Sequence, residues 1–405
     1  MFHRRPSTNK RIMLRTLLIL LALALCVSVP PAAADVEVSP FVATAYRTVN
    51  VFTGPGITYL QLGSIRAGIP LTIVERNSVG TWVHVQRTRD DGTLIDDGWI
   101  ISGYLNFDIA LHFSDVPETT LPDADADSDL SQLHDLYVVP VIPTISDAMR
   151  DVFRRGRDEM RNYSHVITKV GDSLTADDLY LAPMSRNNNV LGPYDYLGES
   201  VLYFGASTAV PSVAAQLGMT SYTVFDPGWA PDDICIPRET PLDCEYRRKR
   251  PSISLIMFGP NDLLRMDDAH FDEQLRKIVQ NTLDHGIIPV LSTFSYDPGM
   301  GLWLQSVNFN RRLVTIAADY QIPLINLWLA ARPLPEYGLE VDHIHMKHWG
   351  SYSLKFDRGS VAFSGGALRN LLSIRALDEI RRAIILPELE THENPESSPE
   401  AAASA

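Results

Sequence analysis

Three short clusters in this 405-residue chain hold side chains whose types and spacing could do chemistry. Gly171-Asp172-Ser173-Leu174 sets a hydroxyl just beyond an apolar run, with a glycine ahead of it that lets the backbone turn sharply. Gly259-Pro260-Asn261-Asp262 ends a second apolar run with a side-chain amide. Asp342-His343-Ile344-His345 sets a carboxylate three residues ahead of an imidazole. A serine hydroxyl is a poor nucleophile until a base takes its proton. His345 suits that task, because an ordinary imidazole exchanges its proton near neutrality. Asp342 would hold the ring in the correct tautomer and stabilise the imidazolium. The chemistry these groups suggest is acyl transfer from an ester to water. Each also has a plainer reading. Ser173 could cap a helix, and Asn261 and Asp262 could be turn residues. Asp342 with His343, His345 and His348 invites a metal site, but His343 and His345 would point apart on an extended loop. Neither a metal nor a cofactor is expected.

The elements that must position these groups can be read from hydrophobic patterning. VITKVG, SISLIMF, IIPVLSTFSY and PLINLWL are short apolar runs, and helical patterns such as DEQLRKIVQNTLDHG and SVNFNRRLVTIAADYQ lie between several of them. Apolar strands alternating with helices predict a parallel sheet covered on both faces, over residues 146–386. Residues 39–106 read differently, as short β-branched and aromatic runs separated by Gly, Pro, Asn and Asp turns, which predicts a small barrel. Between them, 107–145 reads as an acidic linker, and 387–405 as a disordered acidic tail.

Residues 1–34 read as a secretory signal: a basic start, the apolar run Thr16 to Val29, and a small-residue cleavage site ending at Ala34. Its removal takes five of the 35 positive charges and none of the 49 negative ones, which leaves 371 residues at −19. So acidic a chain is a poor partner for nucleic acid, which needs a Lys/Arg surplus. Cys26 lies in the signal. Cys235 and Cys244 remain, and an exported protein with two cysteines this close suggests one disulfide.

The three chemical clusters together resemble the SGNH (GDSL) hydrolase superfamily, over roughly residues 165–385. They match its first block (Gly171-Asp172-Ser173-Leu174), its third (Gly259-Pro260-Asn261-Asp262) and its last (Asp342 and His345), in the family's order. The second block is assigned to Gly205, in Tyr203-Phe204-Gly205-Ala206-Ser207. The resemblance implies a flavodoxin-like three-layer α/β/α domain with Ser173, His345 and Asp342 as catalytic residues. It also implies an oxyanion hole made by the Ser173 N–H, the Gly205 N–H and the Asn261 side-chain amide.

Residues 39–106 resemble the bacterial SH3 domain through Asn50-Val51, Gly54-Pro55-Gly56, Tyr59, Ala67-Gly68, Gly80-Thr81-Trp82, Gly98-Trp99 and Tyr104-Leu105. Phe52 stands where the family usually has Arg. Such domains attach exported proteins to cell-wall glycans or peptides. Trp82, Trp99, Tyr59 and Tyr104 are groove candidates, with barrel core as their alternative role. The expectation is a secreted serine esterase, wall-associated or free, that takes acyl esters and in the narrowest reading O-acetyl groups on carbohydrate. The alternatives are a non-catalytic wall-binding scaffold, a metal-assisted hydrolase, and a lipase or phospholipase of the same superfamily.

Overall fold

Every one of the seven residues of Pro251–Met257 is buried, as is every residue of Ile288–Ser292. Strands buried on both faces need cover above and below, which is the mark of a parallel sheet at the centre of three layers. The computed structural model describes residues 41–56, 59–89, 91–107, 112–122, 133–348 and 354–393, so the expected signal at 1–34 lies outside the described residues.

The parallel sheet comprises β8 (Tyr163–Gly171), β9 (Pro251–Met257), β10 (Ile288–Ser292) and β11 (Leu324–Ile325), in the spatial order β11-β10-β9-β8. A single parallel bridge, Gly171↔Ala215, adds one more short segment beside β8. Counted along the chain, the order across the sheet is then 2-1-3-4-5, that of the flavodoxin-like doubly wound sheet. The direction of winding reverses between β8 and β9. Ligands bind such sheets outside the carboxyl ends at that reversal. Ser173 follows β8 and Asn261 follows β9, so both stand at its mouth.

The two helical patterns read between the strands form as α6 (Asp268–Asp284) and α7 (Trp303–Tyr320), and the other helices around the sheet include α1 (His134–Tyr137), α2 (Ala148–Asp158), α5 (Pro241–Lys249), α8 (Leu327–Ala331) and α9 (Gly365–Ile380). Asp267 and Ser364 cap α6 and α9 by accepting the N–H groups of His270 and Ala367. On one face α6 and α7 pack together through the stacked Phe271 and Phe309 rings, 4.1 Å apart.

Two boundaries differ from the sequence reading. Residues 386–393 form a helix, α10 (Leu386–Glu393), where a disordered tail was expected from 387. Glu388 is nearly buried and accepts from Arg150 and Arg154 on α2, while Arg157 donates to its carbonyl. These partners lie over 230 positions away and leave no local trace in the sequence. The second is the linker at 107–145. Phe113 and Val116 are buried on one side of the acidic run, and Leu133, Leu136 and Val141 on the other. Its apolar ends are therefore part of the core.

Residues 41–107 form a seven-stranded antiparallel sheet in the order β3-β2-β6-β5-β4-β1-β7: β1 (Phe41–Ala45), β2 (Val49–Phe52), β3 (Gln61–Ile65), β4 (Pro70–Arg76), β5 (Trp82–Thr88), β6 (Leu94–Ile101) and β7 (Leu105–Phe107). Leu71 and Ile73 of β4 and Val83 and Val85 of β5 alternate into its core. Trp82 and Trp99 are buried with them, at 1% and 2% exposure, so they fill the core rather than line a groove. Tyr59 donates to the Pro122 carbonyl, and Tyr104 packs on Phe363 with ring centroids 5.0 Å apart.

This sheet is docked on the larger layer structure. The Arg76 guanidinium, at the end of β4, donates to the carbonyls of Phe113, Asn77 and Ser78 and to Glu118. Tyr194 donates to the Val79 carbonyl, and Arg375 on α9 donates to Ser78 O. At Gly359, where φ is +67°, an added Cβ would stand 1.9 Å from Gly103 Cα. Two glycines are what let the backbones meet there.

Candidate active site

The nucleophile turn starts from Gly171. A Cβ there would lie 2.3 Å from Met257 O and 2.4 Å from Thr175 Oγ1, so glycine alone lets the end of β8 close on β9. Asp172 caps the one-turn helix α3 (Ser173–Ala176) by accepting the Leu174 N–H at 3.0 Å. Ser173 is therefore the first helical residue, half-buried, and its N–H is one of the orphan donors of a helix start.

His345 comes from a hairpin-like loop in which Leu339 bridges Met346. Its Nε2 lies 3.1 Å from Ser173 Oγ, and its Nδ1 lies 2.6 Å from Asp342 Oδ2. The other oxygen of Asp342 accepts the N–H groups of Ile344 and His345, at 3.0 and 2.9 Å. Partial burial works against the Asp342 charge. The three hydrogen bonds overcome it and hold the carboxyl down at about 2. The structure thus brings together a hydroxyl, an imidazole and an ionised carboxylate across 172 positions.

Asn261 stands on the loop after β9. Its turn depends on Gly259, where φ is +144° and an added Cβ would lie 2.1 Å from the Phe294 ring. Its Nδ2 donates to Met219 O at 3.2 Å. Asp262, fully buried, ties the same loops together: Oδ1 accepts both the N–H and the hydroxyl of Ser221, and Oδ2 accepts the Gly259 N–H. Burial pushes its carboxyl up to about 6 against those donors. Its role is to shape the loops around the amide.

Gly205 is not brought to this place. It is the last residue of α4 (Gly198–Gly205), its N–H belongs to the helix ladder, and a Cβ on it would meet Met184 O at 2.7 Å. Just beyond it, the Ser207 hydroxyl accepts the N–H of Ile167, at the middle of β8 and four residues short of Gly171. Ser207 and Val166 share a cleft of 560 Å³ with Arg247, Arg248 and Lys249, away from the carboxyl end of the strand.

The glycine that does lie beside the site is Gly218. Gly171 donates to Ala214 O and accepts from Gln216 N, which fixes 214–216 alongside the end of β8. Gly218 follows with φ +75°, and the next carbonyl, of Met219, is the one that receives the Asn261 amide. The sequence signal was Gly218-Met219-Thr220-Ser221 after the apolar Val213-Ala214-Ala215, a stretch too short to show a strand period.

Beneath the nucleophile, Asp172 and Arg369 are both buried. Burial pushes the Asp172 carboxyl up to about 7 while the Arg369 guanidinium pulls it back, and Arg369 donates to Leu174 O and Thr175 Oγ1. Away from the site, Cys235 and Cys244 are joined, with sulfurs 2.01 Å apart.

Residues 47–106 match the family model of the bacterial SH3 domain and form that domain. No curated protein matches the chain. Similar solved structures include an acetyl xylan esterase variant from Geobacillus stearothermophilus, at 15% identity over 54% of this chain and 95% of that one, TM-score 0.34. They also include a lipase/acylhydrolase from Enterococcus faecalis, at 19% identity over 54% and 95%, TM-score 0.33. A third is a GDSL-like lipase from Bacteroides thetaiotaomicron VPI-5482, at 11% identity over 57% and 98%, TM-score 0.33.

Proposed function

We propose that this chain is a secreted serine esterase that hydrolyses acyl esters through Ser173, His345 and Asp342. The observation that carries the reading is the continuous hydrogen-bonded line from Ser173 Oγ to His345 Nε2, and from His345 Nδ1 to Asp342. In acylation the Ser173 oxygen bonds to the ester carbonyl carbon while His345 takes the hydroxyl proton. The tetrahedral intermediate then collapses, the alkoxide leaves, and His345 returns the proton to it. Water repeats the sequence on the acyl-serine and releases the acid. The oxyanion donors in this reading are the N–H groups of Ser173 and Gly218 and the Asn261 amide.

Two further observations support the narrower reading. The side chains of His345 and Asp342 are 50% and 47% exposed, so an ester on the surface of a polymer can reach them. The attached bacterial SH3 domain, a wall-binding module in its family, favours O-acetyl groups on envelope carbohydrate. A disulfide suits an oxidising, extracytoplasmic setting.

Asn261→Ala removes one donor aimed at developing charge. It should lower kcat by about 10²–10³ and leave KM nearly unchanged. An equal loss in the binding of a non-hydrolysable substrate analogue would assign Asn261 to ground-state binding instead.

The reading as a whole is tested with a fluorophosphonate, whose phosphorus a serine nucleophile attacks with loss of fluoride. Mass spectrometry should find the adduct on the peptide containing Ser173, with p-nitrophenyl acetate hydrolysis lost in step and unaffected by a chelator. Hydrolysis that survives without an adduct on Ser173 would overturn it.

A further inference from the structure

The loop that carries His345 is held at two places by histidines the mechanism does not use. His348 Nε2 lies 2.6 Å from Asp177 Oδ2. Asp177 is the residue that closes the nucleophile turn, since its N–H donates to Ser173 O at 3.1 Å. On the opposite side, His343 Nδ1 lies 2.7 Å from Asp297 Oδ2, on the loop after β10. His343 adopts φ 60°, a left-handed conformation that a non-glycine residue keeps only when its surroundings hold it.

We propose that His348 is a positioning residue: through Asp177 it fixes the general base at hydrogen-bond distance from Ser173. The inference rests on the serine-esterase reading and deepens it. His345 and Asp342 form a self-contained pair on an exposed hairpin. Nothing within that pair sets its distance from Ser173. The hairpin stem is anchored at Lys347, whose N–H donates to Gly338 O and whose carbonyl accepts from Ser364 Oγ and the Gly366 N–H. These bonds, with Met346 buried beside His345, hold the base of the loop, and none of them reaches the turn that carries Ser173. His348 converts the anchor into a distance, because its carboxylate partner belongs to the same turn as the nucleophile. His343 secures the far side, so loss of His348 lets the hairpin pivot rather than unfold.

The site is built for this contact. Gly366, in the first turn of α9, lies under the His348 ring, and an added Cβ would meet Nδ1 at 2.4 Å and Cε1 at 2.6 Å. Alanine would otherwise favour the helix there. Gly366→Ala should therefore push the imidazole off Asp177 without removing any group from the site.

The experiment compares His348→Ala, Gly366→Ala, Asp177→Ala and the His348→Ala/Asp177→Ala double variant with the conservative His348→Gln, whose amide can still donate to Asp177. His348→Ala and Gly366→Ala should each lower kcat for p-nitrophenyl acetate by about 10- to 100-fold, with KM and melting temperature held. The double variant should be no worse than His348→Ala, and His348→Gln should recover most of the rate. Hydrogen–deuterium exchange of residues 338–348 should rise in His348→Ala and Gly366→Ala. Unchanged kcat and exchange in both, or losses that multiply in the double variant, would overturn the proposal. Exchange is read without any ester. An inactive wild type would therefore count against the esterase reading, while the exchange result would still decide the clamp.

Discussion

Ser173→Ala lowers kcat for p-nitrophenyl acetate by about 10⁴–10⁶ while the protein keeps its fold and its melting temperature. The size follows from how a nucleophile, base and orienting acid act as one unit, so that losing the nucleophile forfeits the covalent route entirely. The intact fold follows from what the hydroxyl touches. The hydroxyl meets His345 Nε2, and the cap of α3 is supplied by Asp172, not by Ser173. Alanine is also a good helix former at that position. Because the unit fails as a whole, Ser173→Ala/His345→Ala should be no slower than Ser173→Ala alone. The check is steady-state kinetics on Ser173→Ala, His345→Ala and the double variant, with circular dichroism to confirm folding. Activity of Ser173→Ala within a few fold of wild type would remove Ser173 from the chemistry. A double-variant rate equal to the product of the single losses would mean that the two side chains do not act on one step.

What the sequence made legible is what local spacing controls. Gly171-Asp172-Ser173 must turn after an apolar strand, whatever else the chain does, because only glycine fits against Met257 O. Asp342 and His345 meet because they are three residues apart on a tight loop. Gly205 and Gly218 could not be told apart that way. Which glycine reaches the site depends on which segment lies beside β8, and that is settled by the hydrogen bonds of Gly171 with Ala214 and Gln216, more than 40 positions away. The docking of the SH3 domain was equally hidden. Arg76 reads as the last residue of an ordinary strand. Its four acceptors are supplied by a bend just after it and by residues 113 and 118, within what composition alone presents as an acidic spacer. The module is therefore part of the molecule's framework and not a tethered appendage.

The companion result concerns the third member of the line. Asp342→Asn should lower kcat by about 10²–10⁴ with little change in KM. The substitution keeps the loop, because an asparagine Oδ1 can still accept the N–H groups of Ile344 and His345. It changes what faces the imidazole. With an amide N–H directed at His345 Nδ1, that nitrogen must accept, the ring proton moves to Nε2, and the base then offers Ser173 a donor where it needs an acceptor. The pH behaviour follows from the low folded pKa of the carboxyl. The folded carboxyl sits near 2, below the ordinary 3.9 or so of an aspartate. Its contribution to stability is therefore present above the ordinary value and is lost as pH falls towards 2. Across the range from pH 5 to 9 the wild-type carboxylate is ionised throughout, so the ratio of wild-type to Asp342→Asn rates should not narrow towards pH 5 through titration of Asp342. Stability curves of the two proteins, by contrast, should converge only in strong acid. A variant within about threefold of wild type across that pH range would show that the imidazole finds its tautomer without Asp342, and the contact would then be an ordinary loop hydrogen bond.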